Sequence, residues 1–574
     1  MISIDPPRPS PRAWGIVASA WIVGLAALLT WVLRTPAPSM RAQLRILQFW
    51  SLETCVFLGL ALSAAVLWEL RSVLDRRDLL RVPLLMALAL GLTIGLPPRT
   101  NRIYYDEQIY QNIGQNLADS KRAQMCNDGT IEDGRLHCSS AEYNKQPYAY
   151  PHLLSLAYRM FGVGTTTAFV VNAIAMTVTV GFLYLLVLIL FADRVAAFFA
   201  ALLLALTPEQ LVWSASAAAE PSASLASVAA LLAAACFIRS RTTLSLAGAA
   251  VAAAYAVQFR PESFLIVPVV GLLIWQRARE EFTRPRLWWA GLLLLALAAV
   301  HVGHMVAVRN EGWGTTQERM SLRYVADNLR VNGWFYLRDA RFPIIYTLVA
   351  ALGLAGWRAE AGRIAIVCYF FLFFGIALVF YAGSYDYGAD VRYSLATYPP
   401  IAILGGLGMA RLVRWIQRLE PRVPALQALT AAVVFQFLWW YSPVVRATTD
   451  GAWAARADVE FARSLVPGLR GNSYVLTHNP GMFQVWGVNA GQMSLAVTNP
   501  AYLDDLAARF TGGLYLHWNF WCNVQDPVQR EFCAKVLGLR RGKPVQEYRE
   551  RDQHYILYRL DDAPALDLNS KTMR

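Results

Sequence analysis

Two adjacent carboxylates stand in the segment Tyr104-Tyr105-Asp106-Glu107-Gln108-Ile109-Tyr110. Paired acids of this kind can act as a general base or hold a cation. Ile109, Ile113, Asn116 and Leu117 follow at helical spacing, so the pair opens a helix. Acids at a helix start are also ordinary capping chemistry, because the free N–H groups there favour negative charge. More polar chemistry follows along the chain. Lys145-Gln146-Pro147-Tyr148-Ala149-Tyr150-Pro151-His152 leads into an amphipathic Leu153–Phe161 and Gly162. Ala219-Glu220-Pro221, Phe259-Arg260-Pro261-Glu262 and Asp390-Val391-Arg392-Tyr393 come later, the last with Pro399-Pro400 downstream. Together these segments offer carboxylates, one lysine and two arginines. Such a set can bind an anionic lipid headgroup and activate a nucleophile beside it.

The elements that must position these residues follow from composition. The chain has 574 residues, of which 56% are hydrophobic and only 16% charged, against about 25% charged in soluble domains. Mean hydropathy is +0.36. These values exclude a disordered chain, a coiled coil, a nucleic-acid module and an ordinary cytosolic enzyme. A span needs roughly 20 apolar residues, and charge-poor runs give about thirteen candidates, from Ala13–Leu33 to Val423–Val445. Val195–Trp213, Leu244–Phe259, Ser263–Trp275 and Phe342–Trp357 are among the shorter ones. Arg8 and Arg12 precede the first run as in a signal peptide, but no small-residue cleavage site follows, so it reads as a retained helix.

Arginine sets the orientation. With the N-terminus inside, the inner segments hold nineteen: Arg8, Arg12, Arg71, Arg76, Arg77, Arg81, Arg194, Arg239, Arg241, Arg277, Arg279, Arg284, Arg286, Arg358, Arg363, Arg411, Arg414, Arg418 and Arg422. The short outer loops hold five, Arg34, Arg41, Arg45, Arg260 and Arg392. That bias follows the positive-inside rule. The net charge of +13 is therefore topological, and nucleic acid is not expected as a partner. Every chemistry-bearing segment named above falls on the outer side.

The expected organisation is a polytopic helical domain over 1–445, with long outer loops at 99–159 and 309–341, and an extracytoplasmic α/β domain over 446–574. In the tail, Ser473–Thr477, Leu514–Leu516 and His554–Leu560 read as strands; Tyr502–Phe510 and Val528–Leu537 read as helices. Trp518, Phe520 and Trp521 read as packing residues, with ligand or headgroup contact the alternative. Cys126 with Cys138 and Cys522 with Cys533 form two local outer pairs, consistent with disulfides, which persist outside the cytosol. Cys55, Cys236 and Cys368 lie in apolar runs.

The order of the motifs resembles the GT-C superfamily of membrane glycosyltransferases, and is similar to protein O-mannosyltransferases and the bacterial lipid A aminoarabinose transferase. Asp106-Glu107 matches the acidic pair of the first large outer loop. Lys145–Gly162 matches a Lys/Pro/Pro-like segment leading to a juxtamembrane helix, with Gln146-Pro147 in place of the double proline. Arg392-Tyr393 matches an Arg-Tyr element before a late span. The resemblance covers roughly residues 80–410 and implies a polyprenyl-phosphate sugar donor, a lipid, glycan or protein acceptor, and a plasma-membrane enzyme of the bacterial type. It makes Asp106 the general base, with Glu107 positioning acceptor or base, and the reaction a single inverting displacement. Lys145, Arg260, Arg392 and Tyr393 would bind the donor phosphate, which gains charge as it leaves.

His152 and Glu220 are candidate supporting residues. No cofactor is required by this chemistry, although Asp106, Glu107 and His152 could hold a divalent metal. Capping remains open for Glu220 and Glu262, hydrogen bonding for His152, and interfacial anchoring for Arg260 and Arg392. His301 and His304 share one helix face, as a polar pair near a site or as interfacial histidines meeting water. Asp386 and Asp390 could simply pair with Arg392. The competing functions are a transporter or flippase for a lipid-linked or anionic substrate, and a non-enzymatic assembly subunit.

Overall fold

The structure, a computed structural model, describes residues 10–311, 318–355, 361–386, 388–447, 450–469, 471–524 and 527–564. Arg8 and Arg358 of the expected inner set lie outside the described residues. The chain divides into two compact units.

The first unit, 1–99, 145–150 and 169–448, is helical. Every expected run carries a helix. Among the described residues eight helices are long and apolar enough to cross a membrane, or nine if one bent pair is a single span. That pair is the expected run Val195–Trp213, which breaks into Arg194–Ala205 and Pro208–Ser214 with a bend of 58°. Pro208 cannot donate a backbone hydrogen bond, so the helix restarts there. Thr243–Ala256, Ile344–Leu354 and Ile266–Arg277 are helices of only 14, 11 and 12 residues. The last is preceded by the 3-10 turn Pro261–Leu265, where Pro261 follows Arg260.

Interhelical packing relies on close backbone approach. Helix Tyr398–Leu419 lays Gly406 against the Ala196 carbonyl and Gly408 against the Val349 carbonyl, where a Cβ would overlap both. In a lipid environment such small-residue seams replace the hydrophobic driving force between helices.

The second unit joins 100–144, 151–168 and 449–574. The expected domain is its tail portion alone; most of the first long loop belongs to it as well, residues 145–150 excepted. Seven strands form one sheet: β1 Met125–Glu132, β2 Arg135–Glu142, β3 Ser473–Thr477, β4 Asn489–Gln492, β5 Gly513–Trp518, β6 Arg540–Glu550 and β7 Gln553–Pro564. Their order is β2-β1-β4-β3-β5-β7-β6. β4, β3 and β5 run parallel at the centre, and antiparallel hairpins flank them. The sheet is therefore stitched from both ends of the sequence, Asp128 pairing with Gly491 and Gly129 with Ala490.

Tyr474, Val475 and Leu476 in β3 are fully buried. They alternate between two cores, Val475 with Phe461, Leu465, Phe483 and Tyr555, and Tyr474 and Leu476 with Leu503, Leu506, Phe510 and Val536. Helices thus cover both faces of a sheet with an apolar central strand. Cys126–Cys138 links β1 to β2, and Cys522–Cys533 links helix Phe520–Asn523 to helix Pro527–Leu539.

His478 sits just after β3, with Nε2 3.1 Å from the Gln529 carbonyl. Burial lowers its pKa to about 4. In the unfolded chain a histidine takes its proton near about pH 6.5. Between those values the unfolded state binds more protons, so the contribution of this group to stability is lost as pH falls. Fluorescence-monitored melting of the full chain in detergent should show the sheet unit losing stability from about pH 6.5 to about pH 4. A His478→Gln variant should flatten that part of the profile.

Candidate functional site

The two units each carry part of the sequence-derived set. In the second unit, helix Asp106–Ser120 is anchored by its polar face: Asn112 Nδ2 donates to Gln484 Oε1 at 2.7 Å, and Asn112 Oδ1 accepts from the Cys126 N–H at 2.8 Å. Asp106 is half-buried at its first turn. The residue before it, Tyr105, has φ of 80°, a conformation rare for a side chain of that size. Glu107 is fully buried. Its Oε1 accepts from the N–H groups of Arg102 (2.8 Å) and Ile103 (3.1 Å), and its Oε2 accepts from Asn101 Nδ2 (2.8 Å). Glu107 thus closes the approach loop upon the start of the helix and holds Asp106 in place.

His152, fully buried, lies in helix Ala149–Phe161 of this unit beyond Tyr150. Among the described residues Asp106, Glu107 and His152 do not gather as a three-ligand set. The set that does gather is His478 with Cys522 and Cys533, whose sulfurs are bonded to each other.

In the first unit the sequence brings distant residues together. Glu220 opens helix Glu220–Ser240, Arg260 precedes the turn at Pro261, and Arg392 lies in the 3-10 segment Gly388–Thr397. Glu220 Oε1 is 2.9 Å from Arg260 Nη1 and 3.1 Å from Arg392 Nε. Glu262 pairs with Arg260 at 3.1 Å, and Asp390 approaches Arg392 at 3.9 Å. Both guanidinium groups also lie over the Tyr393 ring, at 5.4 and 5.1 Å from its centroid. All five charged residues and Tyr393 are therefore parts of one cluster. The pairing satisfies buried charge, and the aromatic face adds cation–π attraction.

A cavity of about 310 Å³ opens beside it. Its lining combines the polar Arg260, Glu262, Arg319 and Tyr393 with the apolar Phe264, Met305, Phe373, Ile376, Ala377 and Phe380. That combination suits an amphiphile with an anionic head. Arg319, in the middle loop, carried no sequence signal.

Lys145 also belongs to this unit and is half-buried. Its segment is held from helix Pro285–Ala307. The His304 ring bonds the Lys145 backbone, Tyr148 stands edge-on to His304 at 5.4 Å, and His301 stacks on His304 at 5.6 Å. The two histidines are buried, so they fix the lysine segment rather than meeting bulk water.

Comparison with known proteins shows what the chain is similar to. The family described as dolichyl-phosphate-mannose-protein mannosyltransferase matches residues 145–304. The oligosaccharyltransferase of Archaeoglobus fulgidus in the apo form has 12% identity and a TM-score of 0.50, covering 81% of this chain and 73% of its own. The AglB oligosaccharyltransferase from that organism, in complex with an inhibitory peptide and a dolichol-phosphate, has 12% identity and a TM-score of 0.50, covering 86% and 75%. ArnT from Cupriavidus metallidurans in the apo state has 14% identity and a TM-score of 0.50, covering 83% of this chain and 97% of its own. No curated protein matches in sequence. At these identities the likeness is one of fold. The chain shares the fold of these structures, the GT-C fold that the order of its motifs implied.

Removing Glu220 would leave two buried arginines sharing no central carboxylate. Breaking a buried ion pair from one side costs about 3–5 kcal/mol. Glu220→Ala and Glu220→Gln, which both remove that carboxylate, should therefore each lower the melting temperature of the purified chain, as read by thermal unfolding in detergent.

Proposed function

We propose that the chain is an integral membrane glycosyltransferase that moves a sugar from a polyprenyl-phosphate donor to an acceptor hydroxyl at the extracytoplasmic face. The observation that carries this reading is the amphiphilic cavity with Arg260 in its lining, in a chain with the GT-C fold. The isoprenoid tail occupies the apolar wall, and Arg260, Arg392 and Lys145 neutralise the phosphate as it departs. Glu220 keeps the two guanidinium groups oriented, and Tyr393 supports them from below.

Asp106 takes the acceptor proton as the hydroxyl oxygen attacks the anomeric carbon. The C–O bond to phosphate breaks on the opposite side, so configuration inverts. Because the donor carries a single phosphate group, cations of the chain itself suffice for charge neutralisation, and transfer should persist in EDTA. The acceptor is a lipid, glycan or protein hydroxyl. The positive-inside bias supports a cytoplasmic N-terminus and an extracytoplasmic tail, in a plasma membrane of bacterial type.

One observation favours a second reading: the broken span carries Glu209 at its restart, and transporters place ionisable residues in broken helices. A single comparison separates the two. With membranes and a labelled polyprenyl-phosphate sugar, Asp106→Asn should lower transfer on the order of 10²–10⁴-fold at normal expression. Arg392→Ala should raise the donor KM about tenfold, equivalent to about 1.4 kcal/mol of lost binding. Unchanged glycan transfer by Asp106→Asn would sink the glycosyltransferase mechanism. Mass spectrometry of lipids and glycans with and without the protein identifies sugar and acceptor.

A further inference from the structure

A buried polar cluster in the second unit has no part in the chemistry above. Asp458, on helix Trp453–Leu469, is fully buried. Its Oδ1 lies 3.3 Å from His517 Nε2, and His517 Nδ1 lies 3.2 Å from Thr477 Oγ1. The hydroxyls of Tyr104 and Tyr555 complete the surroundings of the carboxylate. Neither Asp458 oxygen, nor His517 Nε2, nor either tyrosine hydroxyl makes a well-aligned hydrogen bond. A carboxylate kept in such a place is costly, so its retention calls for an explanation beyond packing.

The position of Tyr104 supplies one. It lies two residues before Asp106, and its carbonyl accepts the Asp106 N–H at 3.1 Å. Its ring packs against Phe520 (4.9 Å) and Trp521 (5.8 Å), and Tyr105 meets Trp521 at 6.5 Å. Phe520 and Trp521 sit in the short helix that the Cys522–Cys533 bond fastens to its neighbour. Burial and the Asp458 charge hold the Tyr104 hydroxyl well above its ordinary pKa, so it stays protonated and can only donate toward the carboxylate. Tyr105 is meanwhile held at φ 80°, a conformation that persists only where its surroundings over-determine it.

We infer that Tyr104 and Asp458 are positioning residues, through which the tail part of the second unit fixes Asp106 for proton transfer. Glu107 secures the approach loop from one side, and the Tyr104 clamp of Asp458, Phe520 and Trp521 secures it from the other. The inference rests on the assignment of Asp106 as base. The arrangement gives the tail domain a function in the transfer step, with none of its own residues touching the reacting atoms.

The test compares Tyr104→Phe, which keeps the ring and removes the hydroxyl, with Asp458→Asn and Asp106→Asn in the full chain. Transfer is measured with a polyprenyl-phosphate sugar, and amide exchange is followed over residues 102–109. Misplacing a reacting group by about 1 Å costs on the order of 10²-fold. Tyr104→Phe and Asp458→Asn should therefore lower kcat about tenfold or more, leave the donor KM within about twofold, and speed exchange over 102–109. A purely structural role predicts a lower melting temperature with kcat per folded molecule unchanged, and that result in both variants, with Asp106→Asn inactive, overturns the clamp alone. Full activity in Asp106→Asn removes the base assignment, and the clamp with it. Tyr104→Phe keeps the ring that packs against Phe520 and Trp521, so a failure of Asp458→Asn to express leaves the decision with it.

Discussion

Charge that is removed from water must be paired, and the first unit is arranged around one such pairing. Arg260, Glu220 and Arg392 come from three segments separated by up to 172 residues, and one carboxylate oxygen lies within 3.1 Å of both guanidinium groups. An arginine brought to this depth without a partner would snorkel outward or disrupt its helix. Glu220 stands at the first turn of its helix, where its carboxylate meets both cations. The Pro261 turn and the 3-10 segment Gly388–Thr397 then place both arginines over Tyr393. The same cluster contributes to the lining of a cavity that is otherwise mostly apolar. The side chains that pair buried charge thus also line the polar part of the cavity in which the donor is proposed to bind.

The second unit answers to a different constraint. A small parallel sheet cannot leave its edges open, and here the edges are covered by antiparallel hairpins from opposite ends of the sequence. The hairpin of the first long loop brings helix Asp106–Ser120 with it, because Asn112 ties that helix to both Gln484 and the Cys126 backbone. The Asp106-Glu107 pair therefore resides in the sheet unit, a placement that its nearness in sequence to the third span conceals.

Much of this was legible beforehand. The expected strands at Ser473–Thr477, Leu514–Leu516 and His554–Leu560 lie within β3, β5 and β7, and the expected helices Tyr502–Phe510 and Val528–Leu537 correspond to Ala501–Arg509 and Pro527–Leu539. These segments have strong local periodicity, so neighbours in sequence carry the information. β1 and β2 escaped notice because Asn127, Asp128, Gly129 and the Asp133-Gly134 turn dilute their alternation. Both Glu107 oxygens accept from the approach loop ahead of the helix, a contact that the capping alternative does not specify. A two-residue histidine stripe on an apolar helix does not reveal what packs over it, so the burial of His301 and His304 is visible only in the folded chain.

Residue types, spacing and charge asymmetry by themselves determined that this is a membrane-spanning chain and which superfamily it resembles. Each of those properties is local or additive: hydropathy sums along a window, and motifs keep their order. Only the tertiary structure decided that Glu220 joins Arg260 to Arg392, that Arg319 reaches the same cavity, and that Asp458 lies behind Tyr104. Those groupings arise from long-range packing, where a residue's partner is set by which helix faces or strands meet. Asp458 and His517, 59 residues apart on a helix and a strand, carry no shared pattern that a reading along the chain could find.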